Sequence, residues 1–217
     1  MKSNMKTIFY NSKKGYLLVI FFGLIAGLAV AFFSEFPADG LWAFSYFSSR
    51  SLGFWMFTTS VIVLFSEKRL TASINAGMYI GLMFVVTGIY KAIRDYISDI
   101  ANYENMSEFI SFSGYSGMTE YIIKTILEII LYGFVPGVVC GLLAAVLWNG
   151  RKNNWFGKIM LIMPVCFIVF EAVSMYISLF TKHTMLFMTL IDTACIITYV
   201  ILFWKTIITK PQKNIEM

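Results

Sequence analysis

Six apolar segments dominate the chain and constrain its fold more than any other feature. A helix needs about 20 apolar residues to cross a hydrocarbon core of about 30 Å. The second segment is shorter than the others and reaches that length only if it includes Leu41–Phe47. The sequence therefore predicts an all-α polytopic membrane protein, a single transmembrane domain over residues 1–217 with a bundle of six transmembrane helices. The segments are Tyr16–Phe33, Ser51–Phe65, Ala72–Ile93, Tyr121–Trp148, Lys158–Phe180 and Thr184–Trp204.

The composition argues against a water-soluble protein. Of 217 residues, 59% are hydrophobic and only 13% are charged, whereas a soluble domain carries about 25% charged residues. Too few polar side chains remain to cover a water-facing surface. We therefore expect the lipid bilayer to surround the chain.

The basic residues indicate membrane topology rather than a nucleic-acid surface. The formal charge of +5 comes from lysines and arginines that flank the apolar segments. They do not form one basic face with interleaved aromatic residues, so we predict no nucleic-acid partner. Most of the 17 lysines and arginines fall in alternate loops on one side, together with both termini. The positive-inside rule then predicts cytoplasmic N- and C-termini in a bacterial-type inner (cell) membrane.

The sequence carries no pattern for a cofactor or a metal. Cys140, Cys166 and Cys195 all fall inside apolar segments, without the spacing of a zinc site or a disulfide framework. Neither a P-loop nor a dinucleotide-binding motif is present in the sequence. We therefore predict that the protein has no cofactor, binds no metal through such a motif and is not an enzyme.

Residues 95–112 form the most polar insert between two apolar segments. Apolar residues recur there at helical spacing, with acidic residues between them. This pattern predicts an amphipathic helix at the outer interface or an extension of the third helix.

Small residues indicate where helices approach closely. Gly23, Gly27 and Ala31 recur at four-residue steps, and small residues on one face let two helices pack tightly. Two alternatives follow: packing against a helix of this chain, or docking onto a partner subunit. The short stretches Gly23–Ala31 and Gly137–Ala145 also look alike, which suggests a 3+3 inverted repeat of the kind found in transporters.

Three carboxylates within the apolar segments are the candidate site. A carboxylate at membrane depth is costly and marks a functional site by default. Glu171 and Asp192 both fall roughly 12–14 Å below the outer ends of their helices, and Glu128 falls about 10 Å below its own. The sequence therefore predicts that Glu128, Glu171 and Asp192 face inward in one layer.

Four further side chains complete the predicted site. Tyr132 and Tyr199 would line it, while Lys91 and Arg94 would balance charge at its mouth. The leading hypothesis is an acidic, outward-facing pocket that binds or transports a small solute or cation. The alternative is an accessory or sensor protein whose acids only lock the helices together.

Two resemblances to known families add expectations. Gly114-Tyr115-Ser116-Gly117 resembles the G-x-S-G motif of rhomboid intramembrane serine proteases, which also have six helices. That resemblance implies Ser116 as nucleophile and His183 as base, although Met118-Thr119-Glu120 follows where the family continues into an apolar helix. In size and helix number the chain also looks like the substrate-capturing subunits of energy-coupling-factor importers. Their small-residue face is similar to Gly23, Gly27 and Ala31, which implies a membrane partner.

Overall fold

The computed structural model describes residues 7–47, 51–102, 108, 116–152 and 154–208. This part of the chain is helical, apart from one isolated bridge between Phe9 and Ser66. Five of its helices are long and apolar enough to cross a membrane, so the chain has the helices of a multi-pass membrane protein, as the sequence predicts. The helices are α1 (Lys13–Ser34), α2 (Leu52–Leu64), α3 (Arg69–Asn102), α4 (Met118–Leu147), a 3-10 turn (Trp148–Arg151), α5 (Trp155–Lys182) and α6 (Leu186–Ile208).

The second helix is too short to cross a bilayer. With 13 residues at 1.5 Å per residue, α2 is about 20 Å long, against a hydrocarbon core of about 30 Å. Leu41–Phe47 does not extend it, because α2 begins only at Leu52. The prediction of six full-length spans is therefore wrong for this element, since α2 is a shorter apolar helix beside five that are long enough to cross a membrane.

The polar insert after the third apolar segment begins as a continuation of α3. That helix runs without a break to Asn102, which agrees with the second of the two alternatives for residues 95–112. Residues 103–107 and 109–112 lie outside the described part of the chain. The helical extension carries α3 beyond the predicted end at Ile93.

Glycines bring α3 and α4 into backbone contact. A Cβ at Gly77 would lie 2.9 Å from the carbonyl oxygen of Gly137, and a Cβ at Gly141 would lie 3.0 Å from that of Ser73. Only glycine fits such an approach. The Ser73 hydroxyl adds a hydrogen bond to the Gly141 carbonyl at 2.7 Å. α4 therefore runs antiparallel to α3 along a seam of small residues.

The small-residue face of α1 is covered by α3. Gly23, Gly27 and Ala31 are all buried, and a Cβ at Gly27 would come within 2.8 Å of the Met83 carbonyl oxygen. The Thr87 hydroxyl also lies 3.3 Å from the Gly27 carbonyl oxygen. This face therefore packs against α3 within the chain, and a partner subunit stays a prediction.

α5 and α6 form an antiparallel hairpin. Tyr176 on α5 meets Thr193 on α6 at 3.0 Å between hydroxyl oxygens, and the Tyr199 hydroxyl donates to the Leu161 carbonyl at 2.9 Å. These contacts join an early residue of one helix to a late residue of the other, so α5 and α6 are antiparallel. The inverted repeat and the orientation of the termini remain predictions.

Aromatic rings fill the predicted outer end, where α1 ends and α6 begins. Phe33, Phe44, Phe47 and Phe187 form a cluster with ring centroids 4.8–5.9 Å apart. The backbone N–H of Leu186 donates to the Leu41 carbonyl at 2.9 Å. Leu41–Phe47 therefore packs against the end of α1 and the start of α6.

Candidate functional site

Glu171 of α5 caps the N-terminus of α2. Its two carboxylate oxygens accept the backbone N–H groups of Leu52, at 3.0 Å, and of Gly53. The first N–H groups of a helix have no partner within the helix. The residue at the N-cap position, Ser51, supplies no side-chain cap, because its hydroxyl donates to the Phe47 carbonyl instead. The carboxylate of Glu171, more than a hundred residues away in sequence, therefore caps α2 in place of the Ser51 side chain.

Asp192 of α6 lies beside that cap without a partner of its own. Its side chain is fully buried, at 0% exposure, and neither carboxylate oxygen has a hydrogen-bond partner. Glu171 is also buried, at 9% exposure. The two acids that the sequence placed at one depth in the α5–α6 hairpin thus meet, and both are closed off from the surroundings in this conformation.

Gly53 leaves the space in which the two carboxylates meet. A Cβ at this position would lie 2.7 Å from Asp192 Oδ1 and 2.7 Å from Glu171 Oε2. The two oxygens are therefore at most twice that distance apart. Real Cβ atoms do not approach oxygen so closely, so any larger residue at position 53 would push the acids away.

The acid pair lies deep in the bundle. Glu171 is roughly 16 Å along α5 from the helix end at Lys182, and Asp192 is roughly 9 Å along α6 from Leu186. Around Asp192, Met188, Thr189 and Cys195 are also buried. The Thr189 hydroxyl donates to the Met185 carbonyl at 2.9 Å, so it satisfies its own helix rather than Asp192.

Glu128 does not join the other two acids. It lies on an exposed face of α4, and its predicted inward position is wrong. Tyr132 lies on the same helix, with 55% of its surface exposed, and packs against the ring of Phe84 on α3. α4 is apolar around most of its circumference, so its polar residues do not show which face turns inward. Its rotation is set by the glycines that contact α3.

The other predicted site residues also lie away from the pair. Tyr199 is buried about two turns further along α6 and is bonded to Leu161. Arg94 pairs with Glu35 at 3.0 Å and with Asp95 at 2.8 Å, near the ends of α1 and α3. Lys91 is half-buried on α3. Neither cation is bonded to Glu171 or Asp192, so their predicted charge balance is not seen in this structure.

The serine–histidine pair is not assembled. The Ser116 hydroxyl and backbone N–H both donate to the carboxylate of Glu120. His183 ends α5 with a left-handed backbone, φ 52°, and its N–H donates to the Leu179 carbonyl. Within the described part of the chain, no hydrogen bond joins Ser116 to His183. Gly114 and Tyr115 of the resemblance lie outside the described residues.

The backbone N–H groups of Leu52 and Gly53 are site groups that sequence reasoning missed. The available signal was a glycine near the start of a short apolar helix, with no acidic residue nearby to cap it. Among the described residues, there is no group of three or more histidines, cysteines, aspartates or glutamates placed to hold a metal ion. Two carboxylates, Glu171 and Asp192, beside the N-terminus of α2 have the chemistry to hold a positively charged ligand.

Comparison with known proteins finds no matching family model, no similar curated protein and no matching solved structure.

Proposed function

We propose that this membrane protein binds a proton or a small monovalent cation between Asp192 and Glu171, and that it uses this site to bind or transport a solute. The observation that carries the proposal is the fully buried Asp192 carboxylate, which has no hydrogen-bond partner. A carboxylate in apolar surroundings is strongly destabilising unless it is paired or neutralised. The missing partner must therefore carry positive charge or be a proton.

The charge count favours a monovalent ligand. Glu171 already accepts two backbone N–H groups at the start of α2, and a helix N-terminus acts as roughly half a positive charge. The surplus is then roughly one and a half negative charges, so a single proton or monovalent cation leaves only about half a negative charge. Calcium prefers six to eight oxygen ligands, which a site with two carboxylates does not offer.

The second hypothesis, that the acids only lock the helices, is favoured by one specific observation. Glu171 has a complete structural role as the cap of α2. That role explains the presence of one acid but not the other, since Asp192 holds no backbone or side-chain group. The two acids therefore have different expected phenotypes, which makes the hypotheses separable.

The membrane and the side of access belong to the same proposal. The excess of lysine and arginine on the side of both termini supports cytoplasmic ends. The outer face would then be the one nearer the aromatic cluster, which Phe47 joins to the start of α2 through the Ser51 hydroxyl. Access to the site would thus come from the outer side, in a conformation that moves this cluster aside.

The direct test measures the thermal midpoint of the full-length protein in detergent. LiCl, NaCl and KCl are each compared with choline chloride at equal ionic strength, and the choline series is repeated from about pH 5 to about pH 9. A bound ion stabilises the folded state in a saturable way, by about 2.7 kcal/mol at a hundred times its Kd. We expect one of the three cations, or the proton in the choline series, to give such a response.

Asp192→Asn is the variant that decides the outcome. It should remove the response to the cation or to pH while the protein still elutes as a single species in size exclusion. Glu35→Gln changes a carboxylate that pairs with Arg94 rather than with Glu171 or Asp192 and should keep the response. A wild type without any saturable response, or a response that Asp192→Asn retains, would overturn the proposal.

A further inference from the structure

The surroundings of Asp192 show which ligand its carboxylate accepts. Around Asp192, α6 packs against α5 and α2. α5 brings Glu171, α2 brings no ionisable side chain, and α6 itself brings the Cys195 thiol one turn further on. In the described part of the chain, no basic side chain pairs with Asp192. A ligand must therefore supply the positive charge.

The helix backbone at the site does not suit a metal cation. Sodium sites in membrane proteins use backbone carbonyls, which come from unwound helices or from the partially negative C-termini of helices. Here α5 and α6 run unbroken past the two acids, so their carbonyls are used within the helices. The helix end at the site is the partially positive N-terminus of α2, which presents N–H donors to Glu171. The described backbone around the acids thus offers donors rather than oxygen ligands.

The close packing leaves no room for a hydrated ion where the two acids meet. A Cβ at Gly53 would lie 2.7 Å from Asp192 Oδ1 and 2.7 Å from Glu171 Oε2, and a water molecule needs as much room as a methyl group. Both Asp192 oxygens are also buried. A metal ion would therefore have to shed its water, which is costly, and the two carboxylates would have to replace the whole hydration shell.

We propose that the ligand of this site is a proton, and that Asp192 rather than Glu171 carries it. A proton from water binds to a single carboxylate oxygen, so it needs no shell of ligands. It leaves Asp192 neutral in its apolar surroundings and turns an acceptor without a partner into an O–H donor. Glu171 keeps its two N–H donors for its own charge. This inference rests on the site proposed above and decides which ligand occupies it.

Infrared spectroscopy of the full-length protein in liposomes tests the inference. A protonated carboxyl group gives a C=O stretching band that is separate from the bands of carboxylates and shifts in D2O. We expect the wild type to show such a band at neutral pH, equally in choline chloride, LiCl, NaCl and KCl. Asp192→Asn should lose it. Glu128→Gln changes an acid on an exposed face of α4 and should keep it.

The pH dependence of stability counts the protons bound. A folded state that holds one proton more than the unfolded chain loses stability as the pH rises, and its unfolding constant rises about tenfold per pH unit. In SDS titrations in choline chloride, the wild type should show this slope above about pH 5, where free carboxyl groups have ionised. The slope should end where the folded protein releases its proton. Asp192→Asn should have a slope smaller by one proton, because all other groups titrate in both proteins.

The wild-type spectrum decides even if Asp192→Asn does not fold. A wild type without the band at neutral pH would overturn the inference, as would a band that LiCl, NaCl or KCl abolishes. A band that Asp192→Asn keeps and Glu171→Gln loses would do so as well, because the proton would then be on Glu171. A saturable response of the thermal midpoint to a cation, without the band, would leave the proposed site intact and refute only the proton as its ligand. If neither cations nor pH act, both proposals fail.

Discussion

The two ends of α2 are both held by a charged side chain from elsewhere in the chain, yet they differ in what is left unpaired. At the C-terminal end, the Arg151 guanidinium donates to the carbonyls of Leu64, at 3.1 Å, and Ser66. It also donates to the Thr7 hydroxyl at 3.0 Å. At the N-terminal end, Glu171 accepts two backbone N–H groups.

The unpaired buried atoms show the contrast. Near Ser66 the unpaired atom is the amide oxygen Oδ1 of Asn75, which is neutral, whereas at the other end it is the whole carboxylate of Asp192. An unpaired buried amide is destabilising by a few kcal/mol, but an unpaired buried charge is far more so. The C-terminal end is therefore a structural anchor, and the N-terminal end carries a group that the fold does not need.

The arrangement also explains how a helix of only 13 residues is held within the bundle. The N-terminus of a helix is partially positive and its C-terminus partially negative. A carboxylate at the first and a guanidinium at the second match both ends. Two N–H groups and one carbonyl of α2 that would otherwise lie unpaired in an apolar interior are then satisfied.

Removing the anchor at the C-terminal end should have the largest effect. Arg151→Ala would leave the Leu64 carbonyl without its donor, while Ser66 would keep the indole N–H of Trp148 at 3.2 Å. Together with the lost bond to Thr7, we expect a loss of about 3 kcal/mol in the free energy of unfolding. Unfolding of the full-length protein in mixed micelles with increasing SDS measures it.

Arg151→Lys is the matched control for that loss. Lysine keeps the charge but lacks the planar fork that reaches several acceptors, so it should recover only part of the stability. Equal stability of the alanine variant and the wild type would show that the C-terminal end of α2 needs no anchor, and the comparison between the two ends would then fail.

Filling the space at Gly53 should have the next largest effect. In Gly53→Ala the new methyl group would lie 2.7 Å from both carboxylates, which forces the acids or α2 to move. Overpacking typically destabilises by 1–3 kcal/mol, and the better helix propensity of alanine offsets about 1 kcal/mol of this. We expect a net loss of up to about 2 kcal/mol in the same SDS titration, with a weakened response to the cation or to pH.

Gly88→Ala provides the comparison at a position with room for a methyl group. A Cβ there would meet only ordinary contacts, the nearest at 3.4 Å from Ile129. The substitution should leave stability unchanged or raise it by up to about 1 kcal/mol. If both alanine variants lose the same stability, the close approach at Gly53 is not what constrains the acid pair.

Replacing the cap with its neutral isostere should have a smaller effect. The amide oxygen in Glu171→Gln can still accept one of the two N–H groups, but its NH2 group cannot accept the other. We expect a loss of about 1 kcal/mol by SDS titration, since one hydrogen bond is lost. Glu120→Gln, which changes a surface carboxylate that pairs with Lys124 and accepts from Ser116, should lose less stability than Glu171→Gln, because solvent screens these contacts. A loss at Glu171 no larger than this would remove its role as a cap.

The sequence was sufficient for the parts of the fold that depend on length and register. The long apolar segments predicted the long helices, and the tight α5–α6 hairpin fixed Glu171 and Asp192 at similar depth. It was not sufficient for Glu128, because α4 is apolar around most of its circumference and its rotation depends on contacts with α3. Nor could it predict the cap, since Glu171 and Leu52 are 119 residues apart in sequence.

The smallest expected effect on stability, and the most informative one, is that of Asp192→Asn. Unlike Glu171, Asp192 accepts no N–H group, so no hydrogen bond is lost. The new NH2 group can instead donate to the neighbouring carboxylate of Glu171. We therefore expect the free energy of unfolding without added cation to stay the same or to rise by up to about 1 kcal/mol, while the response to the cation or to pH disappears. A loss of stability as large as that of Glu171→Gln would show that Asp192 has a structural partner, and both ends of α2 would then be anchors of the same kind.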